Sequence, residues 1–328
     1  MDLLDIKLLN DFQRRFPLVP RPYAALAETL GTSEEAVIAA LERLRAGGAV
    51  SRVGAVFRPG AIGASTLAAM AVPRSRLQSV AAVVSALRQV NHNYEREHRY
   101  NLWFVAGAPD EQELAATLAA IEGATGIPVI ALPLVEEYHI DLGFKMDGSE
   151  PRTQRPPQKP LRAALDERDR ALVGALEDGL PFVERPYAAI GHRSDLTETA
   201  VLARIATWQA NGLIRRFGVV VRHHELGYRA NAMAIWDVPD EIASGYGAAL
   251  ACIEGVTLAY RRGRHPQWPY NLYCMVHGVD RGEVAARIAQ AARATGLERF
   301  PHEVLFSRTR FKQTGARIAS IPAEPAHG

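Results

Sequence analysis

Cysteine is scarce in this 328-residue chain, with only Cys252 and Cys274 and no CxxC or CxxxC spacing between them. That excludes a disulfide framework and a thiolate metal site, and predicts a reducing, cytoplasmic setting. Net charge is nearly absent as well, +2 from 38 basic and 36 acidic residues, so nothing general favours nucleic acid. Almost all of the bases are arginine, and clustered arginines still make local anion sites. No uncharged apolar run reaches the roughly 18 residues needed to span a bilayer. The opening MDLLDIKLLNDF mixes acids and a lysine into an amphipathic pattern, unlike a signal peptide. GxGxxG, P-loop, GxSxG and HExxH patterns are missing, which removes dinucleotide, nucleotide, serine-hydrolase and zinc-protease readings. With 48% hydrophobic residues, the chain can build two compact domains.

What is present is a repeat. FPLVPRPYAAL (Phe16–Leu26) returns as LPFVERPYAAI (Leu180–Ile190), a shift that also carries Asp5 to Asp169, Gly48 to Gly212, Arg52 to Arg216 and Gly54 to Gly218. Between the halves, KMDGSEPRTQRPPQKP (Lys145–Pro160) is polar and proline-rich and reads as a linker. In the first half, Leu3–Phe12, Tyr23–Leu30 and Ser33–Arg45 carry helical apolar spacing, and AVSRVGAVFR alternates as a strand pair or wing. That is a winged helix-turn-helix. Strand, helix, strand, strand, helix and strand then follow at Ser65–Val72, Ser75–Val90, Asn91–Glu97, Arg99–Val105, Glu111–Gly123 and Pro128–Phe144. A βαββαβ order predicts a ferredoxin-like sandwich. The second half repeats it, with strands near Arg229–Val238, Val256–Arg262, Tyr270–His277 and Glu303–Phe311. The expected fold is therefore α+β, two tandem repeats paired as an intrachain pseudo-dimer. Its expected boundaries are 1–60 and 165–224 for the helix-turn-helix units, 61–146 and 225–328 for the sandwiches, and 147–164 for the linker.

Each half also carries a polar, aromatic cassette, NHNYEREHRYNLWF (Asn91–Phe104) and LAYRRGRHPQWPYNLY (Leu258–Tyr273). Strand alternation puts His92, Tyr94, Arg96 and His98 on one face, and Leu258, Tyr260, Arg262 and Arg264 on the equivalent one. Moving the gap by one residue sets His265 opposite His98 instead. His92 and His98 stand ~20 Å apart along a strand rising ~3.3 Å per residue, too far to share a metal ion. Arginine forks grip carboxylates, and guanidinium planes and aromatic rings stack on flat conjugated systems. A broad, planar, multiply carboxylated ligand such as a tetrapyrrole fits that face. The competing reading makes His92 and His139 structural histidines and pairs the arginines with Glu95 and Glu97 in solvent.

A helix-turn-helix joined to a ferredoxin-like sandwich resembles the Lrp/AsnC regulators, so one expectation is a tetrapyrrole-responsive DNA-binding transcriptional regulator. Its recognition helix, TSEEAVIAALERLR, opens with Glu34 and Glu35, and the counterpart offers Asp195 and Glu198. Acids cap helix N-termini, but they repel phosphate and leave no Arg, Lys, Asn or Gln there to read a base edge. Both points weigh against DNA.

The closer resemblance is to siroheme decarboxylases, Lrp/AsnC-like proteins that have become catalysts. VNHNYEREHRYNLWF and EEYHIDLGF (Glu136–Phe144) look like their first subunit type; RHPQWPYNLYCMVHG (Arg264–Gly278) and HEVLFSRTRFKQTGAR (His302–Arg317) look like the second. The likeness covers almost the whole chain and suggests the fused form. It implies removal of carbon dioxide from two acetate side chains of siroheme, towards 12,18-didecarboxysiroheme in haem d1 formation. No separate cofactor is expected, because the substrate brings its own iron; siroheme, related decarboxylase subunits and a further oligomer are the expected partners. On this reading His98 and His265 donate protons, and His92 and His302 are catalytic or axial iron ligands. His139 is a further donor candidate. Arg96, Arg261, Arg262 and Arg264 anchor the carboxylates that stay, while Tyr94, Tyr100, Tyr260, Trp268 and Tyr270 shape the pocket. One departure stands out: the second subunit type usually has a histidine two residues before the tyrosine, where this chain has Leu258.

Overall fold

A computed structural model describes residues 2–58, 60–140, 163–221 and 230–315. Residues 147–162 of the expected linker, the end of EEYHIDLGF and the end of HEVLFSRTRFKQTGAR lie outside the described residues. The first half opens with α1 (Leu3–Asp11), α2 (Pro22–Leu30) and α3 (Glu34–Ala46). Asp2 and Asp5 form a reciprocal capping box at α1, Pro22 starts α2, and Ser33 caps α3 by accepting from Ala36 N–H. Then come β1 (Val50–Phe57), β2 (Ala64–Met70), α4 (Leu77–Ala86), β3 (Val90–Arg96), β4 (Leu102–Ala108), α5 (Glu111–Thr125) and β5 (Val129–Ile140). The second half repeats the order as α6 (Glu167–Glu177), α7 (Pro186–Ser194), α8 (Glu198–Ala210), β6 (Ile214–Val221), β7 (Ala230–Trp236), α9 (Asp240–Ala251), β8 (Val256–Arg262), β9 (Leu272–Gly278), α10 (Arg281–Thr295) and β10 (His302–Gln313).

The expected wing is not a strand pair within one half. A single strand has no partner of its own, so β1 pairs antiparallel with its copy β6, and Gly54 falls opposite Gly218. These are equivalent residues of the repeat, so a pseudo-twofold axis passes between them. A Cβ at Gly218 would lie 2.2 Å from the Phe12 carbonyl, so only glycine admits this approach. Equivalent tyrosines reinforce the junction: Tyr23 OH donates to Pro181 O at 3.0 Å, and Tyr187 OH to Pro17 O at 2.9 Å. The helix-turn-helix units therefore share one apolar core containing Tyr23, Phe16, Tyr187 and Phe217.

The sandwiches are also interlocked. Each is a four-stranded antiparallel sheet, β3-β4-β2-β5 and β8-β9-β7-β10, with helices packed on its outer face. The twelve-residue last strands serve both sheets. Val129–Pro133 of β5 pair with β2 and Leu134–Ile140 with β8, while His302–Phe306 of β10 pair with β7 and Ser307–Gln313 with β3. The inner faces meet in a third core drawn from both halves, including Leu132, Trp103, Tyr260, Trp268, Tyr273 and Leu305. Burying each of these large side chains contributes about 1.5–3 kcal/mol. Among the described residues, no helix is long and apolar enough to cross a membrane, and no His/Cys/Asp/Glu group could hold a metal ion.

Candidate active site

Alternation along β3 sorts its side chains as the sequence suggests. Asn93 points outward and donates to Ala81 O at 3.2 Å on α4. His92, Tyr94 and Arg96 face the space between the sheets, where the His92 and Tyr94 rings stack with centroids 6.4 Å apart. Arg96 Nη1 donates to Leu305 O at 3.0 Å, and its Cζ lies 5.9 Å from the Tyr94 ring. The second half mirrors this: Arg262 Nη1 donates to Leu132 O at 2.8 Å, and its Cζ lies 4.6 Å from the Tyr260 ring. In both, Nε is buried with no hydrogen-bond partner among the described residues. Burial lowers Arg96 to about 10, still a cation at neutral pH, and pushes His92 down to about 4, a neutral imidazole there.

The halves differ at the next ladder position. Arg310 of β10 pairs with Tyr94, but Glu137 of β5 pairs with Tyr260. Glu137 is buried and salt-bridged to Arg215 of β6. Arg310 thus adds a cation at the position opposite Tyr94, where the second half sets a carboxylate opposite Tyr260.

Beyond Arg96 the chain leaves β3 and turns toward the second half. Tyr100 N–H donates to His98 Nδ1 at 2.9 Å, so the neutral ring carries its proton on Nε2, which lies 2.9 Å from Glu303 Oε2. The other oxygen of Glu303 accepts from Tyr270 OH at 2.8 Å, and Tyr100 OH donates to Gln267 Oε1 at 2.7 Å. Trp268 fills the centre of this cluster, with ring centroids 5.2 Å from His98, 5.5 Å from Tyr100, 5.1 Å from Trp103 and 5.0 Å from Tyr270. Burial lowers the pKa of His98, and Glu303 opposes that shift.

The other expected residues go elsewhere. Glu97 N–H donates to Phe306 O, and Gly263 N–H to Pro133 O, both at 2.9 Å. That match makes Arg264 the counterpart of His98, and places His265–Trp268 in an insertion peculiar to the second cassette. β8 ends at Arg262, so Arg264 does not continue its face as alternation suggests. Its guanidinium donates to Asp240 Oδ1 at 2.7 Å, Asp237 Oδ1 at 2.8 Å, Val238 O and Pro269 O. Arg261 lies 3.3 Å from the same Asp240 carboxylate. His265 closes the inserted turn, its backbone bonded both ways to Trp268 and its Nδ1 accepting from Gln267 N–H at 3.2 Å. His302 is exposed and stacks on Trp236, a residue of the outer core, rather than joining the inner face. His139 sits on β5 beside Ala259 of β8. Glu303, Gln267 and Arg310 escaped the sequence reading, because their partners lie in the other half; the acid beside His302 in HEVLF was the one available hint.

At the recognition helices, an arginine of the preceding helix start binds the first-turn acid in both repeats: Arg21 pairs with Glu34, and Arg185 with Glu198. The bases nearest the helix N-termini are thereby engaged by carboxylates.

Residues 61–139 and 225–312 match the AsnC-like ligand binding domain family, and residues 5–50 and 169–215 match the siroheme decarboxylase NirDL-like HTH domain. The siroheme decarboxylase NirDL subunit of Paracoccus denitrificans is 46% identical over 325 residues, 98% of this chain and 99% of its own. The siroheme decarboxylase NirD subunit of Pseudomonas aeruginosa is 52% identical over 149 residues, 45% of this chain and 99% of its own. A crystal structure of the siroheme decarboxylase NirDL in co-complex with an iron-uroporphyrin III analogue superposes with a TM-score of 0.68 at 27% identity, covering 97% of this chain and 94% of that one.

Proposed function

The chain belongs to the siroheme decarboxylase family, in its two-half NirDL form, and from that membership we propose that it converts siroheme towards 12,18-didecarboxysiroheme in haem d1 formation. The observation that carries this reading is the pair Arg96 and Arg262, each burying an unpartnered Nε on the inner face beside a tyrosine ring. A buried cation is costly to maintain unless an anion meets it, and a flat polycarboxylate supplies both the anion and the stacking surface.

Each round breaks the bond between an acetate methylene and its carboxylate. Carbon dioxide leaves, the electron pair stays on the methylene carbon and spreads into the macrocycle, and a proton completes the methyl group. The step is redox-neutral. It draws on no group beyond the substrate's own iron and ring. Arg96 and Arg262 hold carboxylates that stay, since gripping the departing one would stabilise the ground state. Tyr94, Tyr100, Tyr260, Trp268 and Tyr270 shape the pocket. His98 is the proton donor, because the Glu303 carboxylate beside it favours the cation. His92, kept neutral by burial, has a free-base nitrogen suited to the substrate iron as an axial ligand. Arg310 opposite Tyr94 makes the first-half face the better polyanion site.

Anaerobic incubation with siroheme alone, followed by mass spectrometry, tests the reading. The expected product has lost one or two molecules of carbon dioxide. Tight binding with unchanged substrate mass, even after related subunits are supplied, would favour a tetrapyrrole-responsive regulator instead.

A further inference from the structure

We propose that Glu303 is a positioning residue for His98: from the second half of the chain, it orients the imidazole of the first half and stabilises its cation. The assignment rests on His98 being the proton donor. Three contacts define the ring. Tyr100 N–H holds Nδ1 at 2.9 Å, Glu303 Oε2 holds Nε2 at 2.9 Å, and Trp268 meets the ring edge-on with centroids 5.2 Å apart. Glu303 is itself held, since its second oxygen accepts from Tyr270 OH at 2.8 Å. A carboxylate fixed at both oxygens sets direction as well as charge.

The charges around His98 leave Glu303 alone in favouring the imidazolium. Burial opposes it, and so does Arg99 of the same loop. Tyr100 N–H also opposes it, because it needs the Nδ1 lone pair that protonation would consume. Trp268 carries no charge, and Tyr270, pushed up to about 12 chiefly by burial, is neutral at physiological pH. The side chains of His98 and Glu303 are 17% and 39% exposed, so the carboxylate reaches solvent while the ring is mostly enclosed. No such pair exists in the other cassette, where Arg264 occupies the position of His98 and is tied to Asp237 and Asp240. The donor site thus belongs to neither half alone: His98 comes from one, and Glu303, Tyr270 and Trp268 from the other.

The test uses the full chain with Glu303→Gln, which keeps the shape and removes the charge. NMR titration of His98 in the ligand-free protein should show its pKa falling by about one unit, a tenfold smaller cationic fraction above that pKa. The rate at saturating siroheme depends on a protonated donor, so it declines as pH rises through the His98 pKa. In Glu303→Gln that decline should move about one unit toward acid, giving roughly tenfold slower turnover at neutral pH and convergence with the parent at low pH. A merely structural role would lower the rate at every pH. If Glu303→Gln folds poorly, Glu303→Asp retracts the carboxylate by one methylene and should give a smaller shift in the same direction. An unchanged His98 titration and a superimposable pH profile would overturn the proposal. Wild-type turnover in His98→Ala would instead overturn the assignment of His98 as donor, while the NMR titration still reports on the Glu303 pair.

Discussion

Replacing Arg96 by methionine separates a residue built for a ligand from one built for the fold. Arg96 is 7% exposed, and burial takes its pKa down from the ordinary arginine value to about 10. At about 1.4 kcal/mol per factor of ten, keeping that cation in the empty protein costs about 3 kcal/mol. Against this, Nη1 donates to Leu305 O at 3.0 Å, and a hydrogen bond from a charged donor contributes about 1.5–3 kcal/mol. The two nearly cancel. Methionine has a similar reach and a flexible apolar stem, so it fills the site with little cavity. Arg96→Met should therefore change Tm by less than about 4 °C. Losing a charge-assisted fork to a siroheme carboxylate should meanwhile weaken binding by roughly 10- to 150-fold. A thermal melt and a siroheme titration followed by visible absorbance measure both quantities on one preparation. A Tm fall of ~10 °C with unchanged affinity would refute the reasoning, making Arg96 a clamp on β10 rather than a ligand anchor.

Two further outcomes follow from the packing and the charges. Gly218→Ala drives a Cβ to 2.2 Å from Phe12 O and 2.6 Å from Gln13 O, so denaturant unfolding should register a loss of at least about 1–3 kcal/mol; a neutral result would mean that the β1–β6 junction readily moves apart. Arg281, helped by Arg308, holds the Glu97 carboxyl down from 4.5 to about 2. Its folded pKa is depressed, so its stabilisation is full above about pH 4.5 and fades as pH falls toward 2. Because Glu97 is partly solvated, Glu97→Gln should cost at most about 1 kcal/mol at neutral pH, with parent and variant converging in urea melts near pH 2.

Much of this molecule could be read locally. The repeat, the helix order, the βαββαβ succession and the inward set His92, Tyr94 and Arg96 all follow from periodicity, which acts between near neighbours in the chain. Capping reads the same way, as with Asp2, Ser33 and their counterparts Asp166 and Thr197. Alternation failed where the strand itself stopped. Nothing local says that β8 ends at Arg262, so Arg264 appeared to share a face with Tyr260 until the aspartates of the β7–α9 corner claimed it. The wing, too, is undecided by its own residues, because one strand leaves its backbone groups unpaired and only the second repeat supplies a partner. The same holds for the site. Glu303 reaches His98 because β10 leaves β7 and pairs with β3, a register set by the packing of two sheets. Which acid faces which histidine, and which arginines keep a buried Nε without a partner, depends on contacts between residues far apart in the chain, and these exist only once both halves have folded against each other.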